Sequence, residues 1–425
     1  MKQPSDPRRA DRRSKAESRG VQWLTAGRVR THALVLAACL WTIYAADMSA
    51  PGLRDRFGII KGADFLHFYT LGKLALGNRG DLLYDMRAQA TEIAKLVPEA
   101  GGYAYVPLYG PQVSLFFAPF ALLSYRWALA AWLALNVLIY GLCCFAVWRT
   151  CPNLKSEGTI VLAAAVAFPG FFHLILWGQT SGLALLCFTL VYLALRIRQP
   201  FLAGLAFGLL IFKPQLVLAA AIVFLCSGEW KIISASIVAA AAQLGIAWWH
   251  YGSEVMRNYL HAITHMREVF PFLEPRLYQT FSLRSFWALL LPWGHFAWGF
   301  YFVSAMAALV LAFLTWRTQA TLAPRYSALL LASVLVAPHL TVSDLVILAP
   351  AFLLLTDWAM TAQDESFPAK MKLLIYLCYP LFLLGFLTRF IHVQLAVLAM
   401  AAMLWLCRRA SSQHNATEPP PGPRH

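Results

Sequence analysis

FLAGLAFGLLIFKPQLVLAAAIVFLC, residues 201–226, is the stretch on which the threading of this chain turns. Read as one helix, it is about 39 Å long and crosses a bilayer once, at a tilt. Read as two helices, it crosses twice, and every later segment changes sides. Lys213-Pro214 at its centre decides for two. A charge at mid-bilayer costs at least about 2.5–3.5 kcal/mol, and proline lacks the N–H that a continuous helix requires. The stretch therefore predicts two short helices meeting at Lys213, on the face away from the basic N-terminal tail.

The surrounding sequence is of the same kind. Of the 425 residues, 60% are hydrophobic and 13% charged, and the mean hydropathy is +0.59. That is too much apolar surface for a water-soluble domain, so lipid must be part of the solvent. Apolar runs fall near 32–48, 126–148, 158–176, 181–197, 201–212, 214–226, 231–250, 296–316, 326–336, 342–357, 371–388 and 391–407. A full span takes about 20 residues, and several runs are shorter. The reading is an all-α polytopic membrane protein with about twelve transmembrane helices. Residues 108–124, interrupted by Pro111 and Pro119, read as a re-entrant or half-membrane helix.

Charge sets the orientation. The net charge of +15 invites a nucleic-acid partner, but the basic residues lie in the leading tail and in short connections. With residues 1–31 as a basic cytoplasmic tail, alternate crossings bring Arg149, Lys155, Arg196, Arg198, Lys231, Arg317, Arg325, Lys370, Lys372, Arg408 and Arg409 to the cytoplasmic face, as the positive-inside rule requires. No nucleic acid is expected. The membrane domain runs over 32–409, with a first external loop at 49–125, a second at 251–295 and a disordered cytoplasmic tail at 410–425. No small-residue cleavage site follows the first apolar run, so it reads as a retained span. Eight cysteines show no CxxC or zinc-type spacing. Cys39, Cys143, Cys144, Cys187, Cys226, Cys378 and Cys407 fall in apolar runs and are expected to be buried thiols without a disulfide framework.

This threading gathers polar residues on the non-cytoplasmic side. Asp64, His67, Tyr105, Gln179, Thr180, Lys213, Ser282, Arg284, His339, Asp344 and Arg389 come from six separate connections. Asp64, in an aromatic-flanked segment, suits a general base toward a hydroxyl, and equally an N-cap for a helix over 65–76. Lys213 suits a phosphate partner or a lysine snorkelling at a helix end; Arg284 and Arg389 are further phosphate candidates. His339 suits donation to a phosphate or sugar oxygen, and Asp344 a helix cap or a binding role. His261, His265 and Glu268 share a helical face but lack the zinc-hydrolase pattern. No acidic cluster is evident, so neither a metal nor another cofactor is expected.

These pieces resemble the polyprenol-phosphate-mannose-dependent glycosyltransferases of family 87. The resemblance rests on ordered elements over roughly residues 60–350. They are Asp64-Phe65 with Tyr69 and Gly77; Leu83-Tyr84-Asp85; Tyr103-Ala104-Tyr105-Val106-Pro107 leading to Phe116-Phe117-Ala118-Pro119-Phe120; Gly178-Gln179-Thr180-Ser181; Gly204 and Gly208 before Lys213-Pro214-Gln215; and Pro338-His339 followed by Ser343-Asp344-Leu345. Ser343 stands where the family pattern often has tyrosine. The resemblance implies a GT-C fold with juxtamembrane helices in the external loops, in a bacterial cell membrane. It also implies inverting transfer of a hexose, typically mannose, from a polyprenyl-phosphate donor to a lipid- or glycan-type acceptor hydroxyl outside the cytoplasm. Asp64 would be the base, with Lys213, Gln179, His339, Arg284, Asp344 and Tyr105 around the donor's phosphate and sugar. The alternatives are a secondary transporter or polyprenyl-phosphate flippase, which should carry ionisable groups near the bilayer midplane, and a non-catalytic scaffold.

Overall fold

The computed structural model describes residues 24–266, 277–361 and 366–417. Helix follows helix, and the described residues hold no strand beyond an isolated bridge between Arg54 and Ile60. A chain this apolar satisfies its backbone polar groups in hydrocarbon only by pairing them within each segment. Seven helices are long and apolar enough to cross a membrane, or eight if one bent pair counts as a single span.

Helix α1 (Ala26–Met48) starts six residues before the expected first run. The first external segment follows, with α2 (Ala63–Leu76), α3 (Met86–Leu96) and α4 (Gln112–Ala121). The stretch expected to re-enter at 108–124 holds α4, ten residues laid against α2. A Cβ on Gly72 would come within 2.5 Å of the Phe117 carbonyl oxygen, so glycine is what permits this approach. Phe65, Phe68, Phe117 and Trp132 interlock between them as a separate small core.

Helix α5 (Tyr125–Trp148) returns through the bundle. Then come α6 (Gly158–Val166) and α7 (Pro169–Trp177), bent by 45° where Pro169 cannot continue the helix. Helices α8 (Ser181–Arg196), α9 (Pro200–Gly208) and α10 (Pro214–Cys226) lead into the long α11 (Trp230–Thr264), which breaks at Gly252 with φ +80°. The rest comprises α12 (Leu283–Leu290), α13 (Gly294–Trp316), α14 (Leu322–Val336), a tight turn Val342–Leu348 running into α15 (Ala349–Thr361), α16 (Ser366–Leu383) and α17 (Leu395–Thr417).

The deciding stretch is a helical hairpin. Lys213 leaves the helical region at φ −132°, ψ 66°. Gly204 abuts Ile232 and Ala235, and Gly208 abuts Ser236 and Ala239, so α9 and α11 run parallel. Because α10 ends where α11 begins, α10 must return antiparallel to α9. The twelve-span expectation is met only in part. Four of the expected spans are the shorter helices Ser181–Arg196, Pro200–Phe212, Pro214–Cys226 and Leu322–Val336, each below the length of a full crossing.

Contacts sort the connections by end. At one end Trp316 donates to Glu229 at 3.0 Å, Thr150 pairs with Tyr192 at 3.0 Å, and the Asn153 amide donates to Asp357 at 2.8 Å. These links tie the basic connections together. The other end carries the turns at Gly62, Gly178, Lys213 and Thr341.

Three expectations need correction. The C-terminal segment expected to be disordered from 410 is helical through Thr417, because α17 continues past the basic pair Arg408-Arg409; residues 418–425 lie outside the described residues. Among the eight free thiols, Cys39 and Cys226 are exposed, since they sit on outward faces of α1 and α10. The Asp64 cap is treated with the site.

Candidate active site

Two glycines set the site. Gly62, at φ +67°, caps the start of α2, and Gly178, at φ +66°, ends α7. Both occupy the left-handed region where a side chain is strained. A Cβ on Gly178 would lie 2.9 Å from that of Phe65 and 3.5 Å from the Gly62 Cα, so the two turns touch through bare backbone. The Trp132 indole donates to the Gly178 carbonyl at 2.8 Å and holds the contact.

This brings Asp64 and Gln179, 115 residues apart, into contact: the Gln179 amide nitrogen donates to Asp64 Oδ2 at 3.1 Å. Gln179 Oε1 accepts from the Thr180 backbone at 2.8 Å, which fixes the amide with its nitrogen toward the carboxylate. The alternative reading of Asp64 as an N-cap is overturned. Gly62 is the cap, and Asp64 lies in the first turn with its side chain turned away from the α2 backbone. Burial pushes the Asp64 carboxyl up to about 6; the Gln179 hydrogen bond and Lys213 pull down, and Asp344 adds to the rise. A carboxyl that ionises this close to neutral pH is chemically able to take up a proton there.

Lys213 and Asp344 form a buried ion pair, with Nζ 2.6 Å from Oδ1 and side chains only 2% and 1% exposed. Ser181 bridges them, 2.9 Å from Nζ and 2.7 Å from Oδ1. The other carboxylate oxygen accepts from the Thr341 amide and hydroxyl, both at 3.0 Å. Thr341 is thus the N-cap of the turn Val342–Leu348, and Asp344 closes its capping box from the third position instead of capping the helix itself. Lys213 is held by a carboxylate and is not an open cation. Burial alone would lower its pKa, but Asp344 outweighs burial and the pKa is raised.

Tyr105 donates its hydroxyl to the Ala63 carbonyl and packs its ring against His67, centroids 4.9 Å apart and tilted by 37°. His67 is buried, makes no hydrogen bond through either ring nitrogen, and is held neutral by desolvation, which lowers its pKa to about 3. His339 lies in the field of Asp344, Lys213 and Arg284, and burial lowers it to about 4, so it too is neutral. Arg284 enters α12 beneath the Ser282–Ser285 capping box and faces Trp298 at 5.9 Å beside a small cavity. Desolvation lowers it to about 10, so it keeps its charge near neutral pH. It adjoins the cluster through His339 and does not reach Asp64. Arg389 is exposed and stays outside the cluster.

Tyr109 escaped the sequence reading. Its hydroxyl bonds to Thr180 and feels Lys213, Asp344 and Asp64, while its ring packs on Phe68 at 4.9 Å. Ser181 and Thr341 were likewise unassigned, because a hydroxyl's role depends on partners that arrive from distant turns. His261 and His265 stack at 3.9 Å on the exposed end of α11, and Glu268 lies outside the described residues. No group of three metal-ligating side chains occurs among the described residues.

The sequence profile of glycosyltransferase family 87 matches residues 108–343, more than half of the chain, a span that contains Gln179, Lys213, Arg284 and His339 and begins after Asp64. No curated protein and no solved structure matches the chain significantly.

Proposed function

Because the chain belongs to glycosyltransferase family 87 it is a multi-pass membrane glycosyltransferase, and we propose that it transfers a hexose, mannose first, from a polyprenyl-phosphate donor to an acceptor hydroxyl on the non-cytoplasmic face. The observation that carries this reading is the Asp64 carboxyl: partly exposed, aimed by Gln179, and poised at about 6.

In the proposed step Asp64 takes the proton of the acceptor hydroxyl while the acceptor oxygen bonds to the anomeric carbon. The bond from that carbon to the donor's phosphate oxygen breaks, polyprenyl phosphate departs, and the anomeric centre inverts. Neutral His339 and charged Arg284 are suited to the phosphate, whose charge grows as it leaves. Lys213, through Asp344, positions the turn behind His339. Tyr105 braces the first turn of α2, and thereby the base. No metal or other cofactor takes part, and the acceptor is a lipid- or glycan-type molecule.

In this reading the four shorter helices cross as well, both termini are cytoplasmic, and the basic connections face the cytoplasm, as the positive-inside rule asks. Asn78→Cys in the first external segment is then labelled from outside by an impermeant maleimide, and Arg198→Cys is not; the reverse pattern sinks the orientation. The chemistry is tested with purified protein and a panel of polyprenyl-phosphate sugars, products being read by mass spectrometry. Transfer from the mannose donor with inversion is expected, and no turnover with any lipid donor refutes the proposal.

A further inference from the structure

A large cavity lies away from the polar end. It measures about 460 Å³ and lies between α1, α6, α15 and α16, within the range of ligand pockets, about 300–1,000 Å³. Met360 on its wall is about 24 Å along the helix from Asp344, so the cavity sits at the basic end of the bundle.

Its interior asks for an apolar occupant. The bend before Pro169 frees carbonyl groups, and these are already paired: Tyr140 donates to Ala165 at 2.8 Å and Tyr379 to Ala164 at 3.1 Å. The remaining wall is chiefly alanine, valine, leucine, isoleucine and phenylalanine. Apolar cavities of this kind take hydrocarbon in preference to water. At the mouth stand His32, Lys372, Tyr376 and one acid, Glu157, with Tyr376 and His32 in contact at 2.9 Å. Arg28 and Arg30 in α1 and Lys155 before α6 add positive charge around it. Helix α1, which forms one wall, is otherwise held in part by an alanine seam, Ala33 and Ala37 against Ala163 and Ala167.

We propose that this cavity seats an acyl chain of an anionic glycerophospholipid, whose headgroup phosphate lies against Lys372 and the basic first turns of α1. The lipid fills the space that the small-residue seam leaves between α1 and the body. Charge complementarity selects the headgroup, since each basic residue near an anionic lipid contributes about fivefold in binding. Glu157 works against that preference from the same mouth.

The test is native mass spectrometry of the full-length detergent-purified protein with phosphatidylglycerol, phosphatidylcholine and polyprenyl phosphate as separate probes. Phosphatidylglycerol is expected to bind at least fivefold better than phosphatidylcholine, while polyprenyl phosphate, whose proposed seat is the polar end, should stay bound in the cavity-filling variants. Lys372→Glu should cut that preference by about fivefold or more, and Glu157→Gln should increase it. Ala164→Phe should abolish the bound lipid, and Leu36→Trp narrows the cavity from the opposite wall should the first variant fail to fold. Equal binding of phosphatidylcholine, or full retention of phosphatidylglycerol by a monodisperse cavity-filling variant, would overturn the proposal.

Discussion

Asp64→Asn separates catalysis from stability in one substitution. The carboxyl rises from an ordinary value of 3.8 to about 6, which means the folded protein holds the charged form at a cost. A shift of about two units corresponds to roughly 3 kcal/mol, and partial solvent screening discounts this to about 1–2 kcal/mol. The sign follows from proton binding. A raised folded-state pKa favours the native state below pH 3.8, and that stability is lost as pH rises through about 6. At pH 7.5 the wild type therefore bears the full cost. Asparagine has the same shape, carries no charge and can still accept from Gln179. The variant should lose about 10²–10⁴-fold in turnover, the usual contribution of a general base, while melting at the same temperature or higher. For the wild type, kcat/KM should fall tenfold per pH unit below about 6 and level off above it. The assay is transfer from a polyprenyl-phosphate sugar, with thermal unfolding followed in the same detergent. Activity within tenfold of wild type, or a variant that melts well below it, would refute the reasoning.

Gln179→Ala removes a hydrogen bond that pulls the Asp64 pKa down, so the acidic limb of the pH profile should move to higher pH; an unmoved limb argues against Asp64 as the titrating base. Lys213→Met leaves Asp344 charged and buried and should destabilise by about 3–5 kcal/mol, whereas the double variant with Asp344→Asn should recover much of that, as a thermal double-mutant cycle would reveal. Gly178→Ala combines a strained φ of +66° with a collision at Phe65, and should cost about 1–3 kcal/mol and more than tenfold in activity as α2 is pushed away from Gln179. Wild-type activity there would mean that the Asp64–Gln179 contact is not needed.

The hairpin at 201–226 was legible in the sequence because a lysine followed by a proline is expensive in the middle of an apolar helix, whatever packs around it. The gathering of Asp64, Gln179, Lys213, His339 and Asp344 at one end was legible for a related reason: alternation of basic connections leaves polar interruptions on the other side. The sequence could not separate a capping role from a catalytic one at Asp64, because both need the same residue type near the start of a helix. A left-handed Gly62 takes the capping position away from Asp64, and the backbone conformation of one glycine is not written in composition.

Composition, hydropathy and the placement of charge determined on their own that this chain is helical and lives in a membrane, because lipid forbids most other arrangements. The ordered motifs also named the family that the profile match places it in. Only tertiary structure decided what each polar side chain meets. Lys213 read as an open cation in the sequence, but packing brings Asp344 to 2.6 Å and makes the two a buried pair. Tyr109, unremarkable in the sequence, joins the same cluster. The cavity behind α1 was equally invisible there, since a gap depends on where small residues from four helices coincide. Local energetics select helices and turns from short stretches of chain, whereas partners, charge states and empty space depend on long-range contacts.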